Sequence, residues 1–505
     1  MTADNRTTLT FVAAAAALMA TAVFASRPAA VVDTSARELG QPVFPTLTLP
    51  SQAAALEVVE YDPATGSPVR FEVALKDGRW VIPSHSGYPA DARDRLARAA
   101  AGIFDLKHDS IRGDRPDDHK QMGVLDPLDE TVLSPDGVGR RVTLRDRDGN
   151  PLADLIIGKP VPGQDGQRFV RRPGQNRVYG VRLDNLDLST RFSDWIETDL
   201  LKLDPASVRV VSFDPHKVDI AARRVDPGEA VTVLRKDPPP PPGESPWFID
   251  GLPPGEEVNP DAMSTLTSTL STLRIVGVRP KPPELSAWLK ASPDDRGPLE
   301  DRAALSLQGK GFYILNGRFL SADGDAYVTC ADGVVYALRF GGVTFARGES
   351  LSAGSGDDAA GQPAPTDSGA VESRYLFVTA SFDPDAIAKP KPRPAPASGE
   401  LPADLFARSG AERRLETEQA QAAEKAEQEA YQRKLKDGEA RAKSLSDRFA
   451  DWYYVVPGDA FRKIVLDRKA LVRPKGTGVP AASPFPMGNS SGNPFPSGLP
   501  FGGPR

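Results

Sequence analysis

Cysteine is almost missing. Cys330 is the only one in 505 residues, which excludes an internal disulfide framework and leaves the redox compartment open. Histidine is nearly as scarce. His85, His108, His119 and His216 are scattered along the chain, an arrangement that argues against a His-based metal site. There is no basic excess either. The net charge is −6, against the positive balance of a nucleic-acid binder, so no nucleic-acid partner is expected. No G-x-S-x-G elbow, S-x-x-K pair, H-E-x-x-H helix or phosphate-binding glycine pattern occurs. No two carboxylates are set at a spacing that argues for acid–base work. The expectation is a protein that is not an enzyme, with no catalytic residue, cofactor or metal site.

Proline and glycine, by contrast, are abundant, at 49 and 44 residues. They go with long linkers and many turns. At this length the chain exceeds one compact core. It opens on an uncharged run, "LTFVAAAAALMATAVFAS" (9–26). As a helix this run would rise about 27 Å, close to the hydrocarbon thickness of a bilayer. It is read as a single-pass anchor in residues 1–26. The competing reading is a cleaved signal peptide ending near Val23-Phe24-Ala25. Both place the body outside the cytoplasm. Residues 27–50 are dotted with proline and lack periodicity, and are expected to be a stalk.

From Ala55 the pattern becomes that of strands. "ALEVVEYDPATGSPVRFEVALKDGRWVI" (55–82) alternates at Val69, Phe71, Val73 and Leu75 around the turn "DPATGSP", a hairpin or meander. "LEVVEYDP" (56–63) aligns with "VRVVSFDP" (208–215), and Trp80 with Trp247. Leu96, Ala99, Ile103 and Leu106 follow Trp80 at the same intervals at which Met263, Leu266, Leu270 and Leu273 follow Trp247. Each series is one stripe of an amphipathic helix. Asp91 and Asn259 are the expected helix starts, the latter with Pro260 at the first helical position. Strands then follow in each half: 140–158 around the turn "DRDGN" and 168–181 in the first, 304–317 and 326–340 in the second. The expected fold class is α+β. It consists of two repeated units (51–207 and 208–347), each an antiparallel meander with one covering helix.

Beyond 347 the pattern loosens. Residues 348–373 read as a disordered linker. Within 374–473, a strand at 374–387 is followed by a Pro-rich link and a long charged helix at 403–450. Strand character returns at 452–471, which is expected to pair with 374–382. The helix lacks a sustained heptad, so a solvated spacer is favoured over a coiled coil or partner-binding helix. Residues 474–505 are a low-complexity tail.

The residues that invite a chemical role have plainer readings. Cys330 lies in a strand beside aromatics and reads as a structural thiol. His85 and Ser84 sit in a loop that has no counterpart histidine in the second half. Asp146, Asp148, Gly149 and Asn150 resemble part of a calcium loop, but strands flank them, so a hairpin turn is expected. The turn at 321–325 reads the same way. Trp80 and Trp247 are expected to pack on the helix stripes. The proline run 238–242 reads as a stiff loop.

Several elements recur in the order of one family. Trp80, the following helix, "MGVLDP" (122–127), "VTLRDRDGNPLADLIIGK" (142–159), "RFVRRPGQNRVYGV" (168–181) and "FSDWIETDLLKLDPASVRVVSFD" (192–214) resemble the domain of unknown function 4340. "MGVLDP" departs from that family's Tyr-Gly-Leu, and the second half has no clear "dW...LL" segment. The resemblance implies membrane-anchored extracytoplasmic modules, some beside gliding-type ABC transport components, and it carries no catalytic residues. The expectation is therefore a noncatalytic binding or scaffolding module of the bacterial cell envelope. It would face the periplasm, be held to the membrane by 9–26 and meet an envelope protein partner. An accessory role in an ABC-type transport system is the alternative, and an unrecognised hydrolase the third.

Overall fold

The computed structural model describes Ala15 and residues 39–475, less 63–65, 184–185, 187, 220–221, 223, 242–243, 292–294, 316–317, 347–350, 352–370 and 391–409. The segment 9–26 expected as an anchor, Ala15 apart, most of the 27–50 stretch expected as a stalk and nearly all of the tail lie outside these residues. So do the core of the 348–373 linker and the first residues of the expected long helix. Among the described residues no helix is long and apolar enough to cross a membrane.

Two large antiparallel sheets organise the fold. The first contains β1 (Ala55–Asp62), β2 (Ser67–Lys76), β3 (Arg79–Ile82), β4 (Tyr88–Pro89), β5 (Ser110–Gly113), β6 (Arg140–Arg145), β7 (Pro151–Pro160), β8 (Gln167–Arg171) and β9 (Val178–Arg182). Their spatial order is β4-β3-β2-β1-β6-β7-β8-β9-β5. The second contains β10 (Val208–Asp214), β11 (Val231–Arg235), β12 (Trp247–Phe248), β13 (Gly277–Pro280), β14 (Asp325–Cys330), β15 (Val334–Ala346), β16 (Val371–Phe382) and β17 (Trp452–Pro457). Their order is β12-β11-β10-β14-β15-β16-β17-β13.

The hairpins expected from turn chemistry are present. β6 pairs with β7 around Asp146–Asn150, β8 with β9, and β14 with β15. β16 pairs with β17 through Ser373↔Pro457 and Leu376↔Tyr454. Helix α1 (Arg93–Phe104) buries Leu96, Ala99 and Ile103, and Leu106 is buried just beyond it. α1 is not capped by Asp91; its N-cap is Ala92, without a side-chain bond. A short α2 (Asp118–Met122) follows. Helix α3 (Pro260–Ser271) does start at Asn259, whose side chain accepts from the Asp261 and Ala262 amides. Met263, Leu266, Leu270 and Leu273 are all buried.

Several stretches fold differently from their expected form. Residues 39–50, the end of the expected stalk, dock onto the body: Val43, Phe44 and Leu47 are buried, and Val43 N donates to the Leu106 carbonyl. Three apolar side chains within five residues explain why this stretch packs although proline interrupts it. The second sheet is not closed by residue 347; two of its strands, β16 and β17, come from after the linker. Residues 304–308 are helical, within α5 (Asp301–Gln308), and strand begins only at Phe312. Helical spacing at Ala303 and Leu307 puts both on the buried side. Past β17 the chain turns helical as α7 (Gly458–Ile464) and α8 (Arg468–Leu471). One covering helix per sheet is therefore too few for the second half, which also carries α4 (Pro283–Lys290) and α6 (Gly410–Ala450).

The 41 residues of α6 extend about 60 Å. Residues 421–430 are exposed, as expected of a solvated spacer. The C-terminal end is not. Gly438, Ala442, Leu445, Phe449 and Ala450 are buried on one stripe, and Arg441 and Arg448 donate to the carbonyls of Lys202, Leu200 and Asp199. A side chain at Gly438 would collide with the Asp332 carbonyl, 2.1 Å from the ideal Cβ. The stripe is hidden in the sequence because three of its five members are glycine or alanine.

Both sheets contribute to one hydrophobic core. The segment 192–203 lies between them. Trp195 is fully buried, its carbonyl accepts from Asp91 N, and Leu200 N donates to Leu273. The Tyr336 hydroxyl on β15 donates to the Leu201 carbonyl at 2.8 Å.

Candidate functional site

The residues singled out by the sequence do not converge. Cys330 is buried on β14, and burial pushes its thiol up to about 11, which disfavours the thiolate a nucleophile needs. His119 Nε2 donates to the Asn176 carbonyl at 2.7 Å, and His108 packs on Tyr179. His216 sits between the Asp214 and Ser321 carbonyls. His85 stacks flat on Phe192, with ring centres 4.4 Å apart, and Ser84 Oγ lies 3.0 Å from its Nδ1. Among the described residues no group of three potential ligands could hold a metal ion.

Asp146 closes its hairpin by accepting from the Asp148 and Asn150 amides, which is a turn and leaves no calcium cage. Asp325, at the turn after 321, is instead buried. It accepts from Ser321 Oγ at 2.7 Å and pairs with Arg339; burial pushes its carboxyl up against the pull of Arg339. Trp80 is half-buried against the core, and Trp247 is buried under Arg235.

What does converge is a set of short motifs whose meeting could not be read from spacing. The loop Met122–Pro127 crosses β7 where the ladder to β8 is interrupted, between Ile157 and Pro160. This is a bulge, a device that re-aims side chains at sheet rims. Three glycines allow the backbones to touch. The Cβ that Gly158 lacks would lie 2.5 Å from the Met122 carbonyl. That of Gly139 would lie 2.8 Å from the Gly123 carbonyl, and that of Gly123 2.8 Å from Lys159 Cγ. No larger residue fits at these contacts without backbone movement.

Arginines lock the crossing. Arg141 grips Asp154 with two nitrogens, at 3.0 and 2.7 Å, and reaches Asp126 with the third at 3.0 Å. These bonds, led by the one to Asp154, hold its guanidinium more firmly charged than usual. Arg171, buried on β8, donates from Nε to the Val124 carbonyl at 2.9 Å and from Nη1 to that of Gln175. Here burial disfavours the charge, and the carbonyls satisfy the fork.

Beside this crossing lies an open cleft of about 410 Å³. Its floor includes Gly123, Gly139 and Gly158, and its apolar wall Leu183 and Leu188. Its charged lining is Arg140, Lys159 and Arg168, with Glu60 as the one carboxylate among the described residues that line it. Glu60 pairs with Arg140 and accepts from Thr190 Oγ1. Arg168 donates from Nε to the Gly158 carbonyl at 2.9 Å. Burial, and then the charge of Arg140, lower its affinity for its proton. Among the described residues the cleft thus carries more positive than negative side chains, on a protein whose net charge is −6, and chemically these suit an anion.

Architecture and site together define a mixed α+β protein, with two antiparallel sheets and a motif crossing on the first. Residues 80–291 match the family Domain of unknown function (DUF4340), and the chain carries a domain of that family there. The matched segment begins at Trp80 and contains the 122–127 loop, the bulge of β7 and the 192–203 connector. No curated protein and no solved structure matches the chain.

Proposed function

We propose that the protein is a noncatalytic module of the bacterial cell envelope, anchored through 9–26 and facing the periplasm, that binds and holds a protein partner. The observation that carries this reading is helix α6. Its end is clamped to the second sheet and to the 199–202 connector, while residues 421–430 stand exposed. A long helix fixed at one end presents a surface at a set distance and direction, which is the task of a scaffold. Its alternating charges suit a polar partner interface.

The two sheets are a duplicated unit in this reading. Their strand orders correspond when β10, β11, β12, β13, β14, β15, β16 and β17 are set against β1, β2, β3, β5, β6, β7, β8 and β9. α1 and α3 occupy the same place in each chain order. On this mapping α6 is an insertion. The first unit joins β8 to β9 through residues 172–177, whereas the second joins β16 to β17 through 383–451. One copy kept the compact form and the other gained the arm.

Affinity capture of the detergent-solubilised full-length protein, with mass spectrometry of what co-purifies, tests the reading. An envelope protein is expected, and its yield should fall when Glu424 and Glu427 are replaced by lysine. Recovery of no envelope protein above background overturns it. The second reading, an accessory of an ABC-type transport system, draws on the family match over 80–291. It predicts that the captured partners are an ATPase and a permease.

A further inference from the structure

The geometry points to the cleft beside Gly123 and Gly158 as a binding site for the phosphate group of a small organic phosphate. This inference rests on the cleft and not on the α6 arm, so the two stand or fall separately.

Of the three cations in the cleft, Arg140 is already neutralised by Glu60. Lys159 and Arg168 have no carboxylate partner among the described residues; the one polar contact of Arg168 is to the Gly158 carbonyl. Both side chains are exposed and line the cleft. Two positive charges that line one cleft with no carboxylate partner among the described residues match a phosphomonoester, which carries about −1.5 to −2 near neutral pH. A carboxylate, with one negative charge, would leave one of them uncompensated. The donor types agree. A guanidinium supplies a planar fork and an ammonium a compact point charge, and together they are suited to phosphate oxygens.

The placement is also built. Lys159 projects from the bulge of β7, and the bulge is held by the Gly123–Gly158 contact and by Arg171 beneath it. Arg168 is oriented by its bond to the carbonyl of Gly158. The glycine floor therefore sets the backbone and stem of Lys159 and the guanidinium of Arg168, which lowers the ordering cost of binding. The volume, about 410 Å³, exceeds what phosphate alone fills and lies at the low end of small-molecule sites. The remaining space is bounded by Leu183 and Leu188, which suits a short carbon stem. That stem could belong to a soluble metabolite or to a lipid headgroup, and the phosphate chemistry is common to both.

Isothermal titration of the full-length protein in detergent micelles tests this with inorganic phosphate, glycerol 3-phosphate, short-chain phosphatidic acid and glycolate as probes. Saturable binding of glycerol 3-phosphate is expected, weakened about tenfold or more by R168Q or K159Q, as befits loss of one charge-assisted bond. R168K should keep part of the affinity, and K436Q on α6 all of it. Binding by phosphatidic acid but not by glycerol 3-phosphate, with the same variant pattern, assigns the phosphate to a lipid. The inference is overturned if the folded protein binds neither phosphate ester, if R168Q and K159Q leave binding unchanged, or if glycolate binds as tightly.

Discussion

At the scale of single residues, two side chains with similar sequence surroundings end in opposite roles. His85 lies just after β3 and Lys159 near the end of β7, each after an apolar run and close to a turn. His85 is turned inward, stacked on Phe192 with Phe71 at its edge, and burial, helped by Arg279, lowers its pKa to about 4. Below the ordinary value of 6.5 the unfolded chain takes up a proton that folded His85 refuses until about pH 4. Stability is therefore whole above 6.5 and drains away as the pH falls toward 4, by about 3 kcal/mol at most. His85→Phe, which keeps the stacked ring, should flatten that decline. Urea unfolding of both proteins at pH 7 and pH 4.5 measures it, and parallel declines would refute the assignment. Neither the burial of His85 nor the exposure of Lys159 was legible. Burial depends on which loop lies above a residue, and that is decided by chain far away in sequence.

At the scale of elements, the helix stripes and hairpins were legible because their periods are local. Leu96, Ala99 and Ile103 share a face by geometry alone, and "DRDGN" can hardly do anything but turn. The long helix was legible as a helix but not as a docked one. Its buried stripe of Gly438, Ala442, Leu445 and Phe449 contains two large apolar residues, too few to stand out among so many charges. The division of α6 into arm and clamp makes a prediction. Phe449→Ala should cost about 3–5 kcal/mol, the usual loss for a buried aromatic ring, seen as a lowered unfolding midpoint. Trypsin should cut first within 421–436, where Lys425, Arg433, Lys434 and Lys436 are exposed. That cut should leave the unfolding midpoint unchanged, because exposed residues contribute little to the core.

At the scale of the molecule, the two sheets are not separate domains. An aromatic series runs from Phe71 and His85 through Phe192 and Tyr88 to Trp452, with centre distances of 4.4 to 5.8 Å, and Trp452 belongs to the second sheet. The segment that matches the family, 80–291, omits β1 and β2 from the first sheet and β14 to β17 from the second. β1 is the strand between β2 and β6, so the segment lacks the middle of one sheet and half of the other. Residues 80–291 expressed alone should show no cooperative unfolding transition and weak amide protection, whereas 39–475 should unfold in one step. A sharp transition from the isolated segment would show that the two sheets are independent.

The sequence by itself determined the class of fold, the positions of the hairpins and the two helix stripes, because these follow from periodicity and turn chemistry within a few residues. Only the tertiary structure decided where the second sheet ends, which end of the long helix is held, and that Gly123, Gly139, Gly158, Lys159 and Arg168 share one cleft. Those outcomes depend on contacts between residues tens to hundreds of positions apart. There the missing side chain of a glycine matters only through the backbone that moves into its place.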